Sequence, residues 1–149
     1  MNEKFRDKEI EKRYWAIVSD PPKPPAGQLE GWLKKIERQN KSYVLDKEQK
    51  GSKHAVLQYT TLAHGDRYSL LEVMLETGRH HQIRVQLADK GSVIKGDLKY
   101  GASRSNPDGS ISLHARSARF QHPVTQEWIE VTSPCPNDAL WNFFEKKLG

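Results

Sequence analysis

Cys135 is the only cysteine in the chain. An internal disulfide is therefore excluded, as is any zinc site built on several thiolates, and a reducing compartment fits. Apolar runs are equally scarce. None approaches the roughly 20 residues that span a bilayer, and the charged opening, Met1 to Glu9, has no apolar signal-peptide core. A membrane is not an expected partner, and a cytoplasmic location is the simplest expectation. Hydrophobic residues make up 36% and charged residues 29% of the 149. That composition stays clear of the disordered class and allows one domain, 1–149, with a modest core.

What the chain does have is an excess of cations, +5 net. A polyanionic partner suits this charge, although basic residues such as Lys34, Lys35, Arg38, Arg79, Arg84, Arg116 and Arg119 are spread along the sequence and read mostly as solvated surface. Residues up to about Lys8 are helix-compatible. Lys12 to Ser19 reads as a strand centred on Tyr14, Trp15, Ile17 and Val18, and the prolines between Asp20 and Gly27 end it in an extended connector. Gly27 to Gly51 carries short strands joined by charged turns. Ala55 to Leu62 and Tyr68 to Glu76 alternate apolar and polar residues around the turn formers His64, Gly65 and Asp66, the pattern of an antiparallel hairpin.

From Thr77 to Lys90 the period changes to that of a helix, with Thr77 as the expected N-cap and Gly91 as the left-handed C-terminal residue. On this helix His80, Arg84 and Leu87 would share a face. Ile111 to Phe120 and Trp128 to Val131 predict a second hairpin. Asn137 is the expected cap of a final helix whose stripe of Leu140, Trp141, Phe144 and Leu148 belongs in a core. The predicted class is α+β, a mixed and mostly antiparallel sheet with flanking helices.

The densest polar run is Thr77-Gly78-Arg79-His80-His81-Gln82-Ile83-Arg84. It is followed by Gly96-Asp97, Tyr100-Gly101, Leu113-His114-Ala115 and Phe120-Gln121-His122-Pro123, and preceded by Lys12-Arg13-Tyr14 with Ala16. Read physically, an arginine on a helix face, a tyrosine on a strand and a histidine could converge in a cleft suited to planar recognition, charge pairing and stacking. The ordered set resembles the RluA-type pseudouridine synthases, whose C-terminal half runs K-x-Y-x-A, T-G-R-x-H-Q-I-R, G-x-x-x-x-G-D-x-x-Y-G, L-H-A and F-x-H-P.

The resemblance implies isomerisation of a flipped-out uridine in ribosomal or transfer RNA, with no metal and no organic cofactor. It assigns catalytic positions to Tyr14, against the base, and to Arg84, paired with the nucleophilic aspartate. RNA or substrate contacts are expected at Arg79, His80, Gln82 and His114. The family's aspartate lies in an H-R-L-D element followed by T-S-G, and no such element occurs in these residues: Leu45-Asp46 lacks the preceding arginine and Asp97 belongs to another motif. The expectation is therefore a truncated chain, inactive alone. The alternative is a non-catalytic RNA-binding module, and a weaker one is a split enzyme completed by a separate fragment docking on an exposed edge of the Tyr14 strand. Through that same edge the lone chain would self-associate. Adjacent histidines such as His80 and His81 point apart on a helix and lack a zinc-type carboxylate-histidine spacing, so no metal is expected.

Overall fold

The computed structural model describes residues 10–148, and the helix-compatible opening segment lies outside them. Among the described residues seven strands form one sheet: β1 (Ile10–Val18), β2 (Ala26–Ile36), β3 (Lys41–Leu45), β4 (Lys53–His64), β5 (Ser69–Leu75), β6 (Leu113–Gln121) and β7 (Trp128–Thr132). Their order is β3-β2-β4-β5-β1-β6-β7, and every neighbouring pair is antiparallel. Two helices, α1 (Gln82–Asp89) and α2 (Ala139–Leu148), lie on it. The α+β class and the largely antiparallel sheet are as the sequence predicts.

Successive strand residues point to opposite faces, and β1 is apolar on both. Ala16 and Val18 join Leu57, Leu71 and Val73 beneath Ile83 and Leu87 of α1, with Tyr14 packed at the margin of that cluster. Trp15 and Ile17 face the other way and join Leu70 beneath Trp141 and Phe144 of α2. A strand buried on both faces belongs in the middle of a sheet. β1 indeed pairs with β5 on one side and β6 on the other, so the Tyr14 strand has no exposed edge, and self-association or fragment docking through it is corrected. The sheet edges are β3 and β7.

Two further expectations change. The helix predicted from Thr77 starts at Gln82, because Thr77 is tied to the sheet: Val56 N–H donates to its Oγ1 at 3.0 Å, and that hydroxyl donates to Gln82 Oε1 at 2.8 Å. Residues 78–81 form a loop, which takes His80 off the helix, and His81 enters α1 with φ of 55°. Gly91 ends the same element with φ of +83°, as expected. At α2, the cap is Asp138 and not Asn137: Asp138 Oδ1 accepts from Leu140 N at 2.8 Å and Trp141 N at 3.4 Å. Both residues are good caps, and the register of the apolar stripe decides between them.

Candidate active site

Arg84 leaves α1 toward the short helical turn Leu98–Tyr100. Its Nε donates to Asp97 Oδ2 at 2.9 Å and its Nη2 to Asp97 Oδ1 at 2.8 Å, a side-on fork in which both carboxylate oxygens are used. Asp97 is 1% exposed. The bond to Asp97 raises the arginine's pKa, so the guanidinium is a fixed charge. Its third contact is His81 Nε2, 3.0 Å from Nη1, and the Tyr100 ring lies 5.0 Å from its carbon.

These contacts fix a tautomer. Arginine only donates, so His81 Nε2 accepts and Nδ1 carries the proton, which is given to Tyr100 Oη at 2.8 Å. Tyr100 Oη also accepts from Ser42 N–H at 2.9 Å. Such an imidazole must be neutral. Burial first, then the charges of Arg84, His80 and Lys99, bring its pKa down to about 4. The result is a chain of fixed contacts from Asp97 through Arg84, His81 and Tyr100 to β3. Three of the five guanidinium N–H groups are engaged, and one on each terminal nitrogen has no partner among the described residues. That arrangement can receive an oxyanion.

Tyr14 stands on the same face of the sheet as Ile83 and Leu87 of α1. Its hydroxyl has no hydrogen-bond partner among the described residues. A bulge opposite it helps aim this part of β1: Arg13 pairs with Ser117 while Tyr14 pairs with Ala115, leaving Arg116 extra.

The other expected site residues fall differently. His80 stacks on His81 with ring centroids 3.7 Å apart, and its nitrogens meet Ser42 Oγ at 2.9 Å and Asn40 Oδ1 at 3.0 Å. Burial, then Lys35 and Arg84, lower its pKa. Gln82 is 2% exposed. Its Oε1 accepts from Thr77 Oγ1 and Arg79 N–H, and its Nε2 donates to Val56 O, so it pins the loop from within. Arg79 Nε donates to His54 O at 2.7 Å. His114 pairs with Trp15 across the strands and meets Trp141 edge-on, on the face opposite α1. Arg84 and Tyr14 thus share a side of the sheet, with His80 beside the Arg84 cluster, and His114 does not join them.

His81, Asp97 and Tyr100 are the site residues that sequence reasoning passed over. The signal was present: they occupy the H, D and Y of T-G-R-x-H-Q-I-R and G-D-x-x-Y-G, whereas His80 sits at the variable x. Among the described residues, no group of three His, Cys, Asp or Glu side chains gathers to hold a metal ion, and no helix is long and apolar enough to cross a membrane.

Comparison with known proteins gives one answer. A family model described as RNA pseudouridylate synthase matches residues 1–89. An uncharacterized RNA pseudouridine synthase of Mycobacterium bovis is 36% identical over 139 residues, covering 90% of this chain and 44% of the relative. A ribosomal large subunit pseudouridine synthase D of Zymomonas mobilis is 31% identical over 144 residues, with the same 90% and 44% coverage. Among solved structures, Human RNA Pseudouridylate Synthase Domain Containing 4 superposes with a TM-score of 0.77 at 23% identity, over 98% of this chain and 65% of that one. The chain spans less than half the length of these curated relatives.

Proposed function

Since the chain belongs to the RluA-type family of RNA pseudouridine synthases, we propose that it forms the arginine- and tyrosine-bearing half of a site that isomerises uridine in RNA. In that reaction the bond from N1 to C1′ breaks, the base turns, and C5 bonds to C1′ while the C5 proton leaves and N1 is protonated. Two relatives are ribosomal large subunit pseudouridine synthases D, which favours ribosomal over transfer RNA, and with it the cytoplasm.

One observation carries the reading. Arg84 is clamped by Asp97 and His81 and keeps an N–H on each terminal nitrogen for a further carboxylate. Asp97 itself is not a candidate nucleophile, because both of its oxygens are bound to the guanidinium and it is 1% exposed. The attacking carboxylate would be the aspartate of an R-L-D element, which these 149 residues do not contain. Arg84 would hold it ionised and aimed, and the Tyr14 ring would stack on or bond the flipped base. Extruding that base costs a few kcal/mol, roughly, which the pocket offsets by stacking and edge hydrogen bonds.

The experiment combines the purified chain with a large-subunit rRNA fragment and scores pseudouridine by mass spectrometry, with and without a relative's R-L-D-bearing segment added in trans. We expect RNA binding but no turnover alone, and turnover with the segment that Arg84→Ala abolishes. Turnover by the chain alone, itself lost in Arg84→Ala, would overturn the missing-carboxylate reading. The absence of an R-L-D element also favours a second reading, a non-catalytic RNA binder. Binding that persists while no added carboxylate segment restores turnover would favour it.

A further inference from the structure

Basic residues occur along the whole chain, but its net charge comes mostly from one stretch, because elsewhere carboxylates nearly balance them. Between Lys34 and Lys53 stand seven lysines and arginines against three carboxylates, +4 of the chain's net +5. The hairpin of β2 and β3, with the turn into β4, therefore forms a basic edge of the sheet. Between it and the 78–80 loop lies a groove of about 280 Å³, lined by Lys35, Lys53, Arg79 and His80 among others, with Glu37 as its one acidic side chain. Glu37 lies 3.4 Å from Lys35 and is 85% exposed.

From these residues we propose that the groove seats a backbone phosphate of the RNA strand, next to the Arg84 site. The inference rests on the reading of the site as an RNA-modifying one, and adds where the strand runs. Its chemistry is that of phosphate recognition. The two lysines supply mobile point charges, and Arg79, tethered through Nε to His54 O, adds a guanidinium charge to the groove wall. His80 forms the wall shared with the Arg84 cluster, since it stacks on His81, which contacts Arg84. A phosphate held here places its nucleotide beside the engaged guanidinium. The field agrees: after burial, the nearby cations Lys35, Arg84 and Lys99 lower the pKa of the His80 ring, with Glu37 alone opposing them. A groove already rich in fixed cations gains most from a bound anion.

The test is fluorescence anisotropy of a uridine-containing single-stranded RNA with the full chain across a salt series. Each phosphate lost from a single strand lowers the slope of log K against log salt by about 0.7. We expect Lys35→Gln/Lys53→Gln to weaken binding with a slope lower by about that amount. Glu37→Gln should do the opposite and tighten binding, a result that misfolding cannot imitate. Lys146→Gln/Lys147→Gln, on α2 across the sheet, serves as the charge-matched control and should lose less. Equal losses in the groove and control variants, or no gain in Glu37→Gln, would overturn the groove while leaving RNA binding intact. No RNA binding by the unsubstituted chain would overturn both this inference and the function on which it rests.

Discussion

Arg84 carries the site's charge, and its energetics follow from the burial of its partner. Asp97 is 1% exposed while the Arg84 side chain is 20% exposed. Removing the guanidinium would leave an unpaired carboxylate in a dry place, and breaking such pairs costs about 3 kcal/mol or more. Arg84→Met should lower stability to urea by about that amount, and Arg84→Met/Asp97→Leu should recover much of it, because the uncompensated charge has gone. If the double variant unfolds as early as the single one, the pair is not the source of the loss. His81 gives a pH signature. Its folded pKa, about 4, lies below the ordinary 6.5, so the unfolded chain takes up this proton first as pH falls. The contribution is complete above about pH 6.5 and is lost as pH is lowered toward about 4. Protonated His81 would face Arg84, His80 and Lys99, with only Asp97 in its favour. His81→Asn, an exchange that tolerates the left-handed backbone there, should flatten the dependence of unfolding free energy on pH across that window. An unchanged profile would count against the neutral-imidazole contact.

Between strand and helix the controlling groups are short polar side chains. Asp138→Ala should destabilise the chain by about 1 kcal/mol through loss of the α2 cap, whereas Asn137→Ala should change thermal unfolding little. The reverse order would restore the sequence-based assignment. Gln82→Leu removes the acceptor of both the Thr77 hydroxyl and Arg79 N–H, while Val56 O keeps its backbone donors from Glu76 and Thr77. Orphaning such buried groups costs about 1–3 kcal/mol each, so it should be among the most damaging single exchanges near α1. These residues also mark what was legible beforehand. Hairpins announced themselves by alternation and turn residues, as around His64 to Asp66, and the stripe of α2 by its period. The start of α1 was not readable, because Thr77 bonds across to β4, a contact that local pattern does not encode. For the same reason Gln82 looked like a ligand-facing amide and His114 like a cleft residue: motif membership shows that a side chain matters, and only the pleat shows which face it serves.

Across the whole sheet, position sets local stability. β1 is bonded on both sides and buried on both faces, with Ala16, Ile17 and Val18 fully buried. Among the described residues β7 pairs on one side only, and Trp128 and Val131 are 46% and 55% exposed. The sequence suggested the opposite, an exposed first strand, since strand order depends on long-range pairing that residues near Met1 cannot reveal. Opening free energies in a native protein range from near zero at edges to the global value in the centre. Native-state hydrogen exchange should therefore find the slowest amides in Trp15 to Val18 and Leu70 to Val73, and the fastest strand amides in Trp128 to Thr132. Edge strands with apolar residues are also where chains add to one another. If Trp128 to Thr132 proved as protected as β1, and that protection faded on dilution alongside a shift to smaller size in gel filtration, self-association would run through β7. Protection that is low at every concentration leaves β7 open and the chain monomeric at that edge.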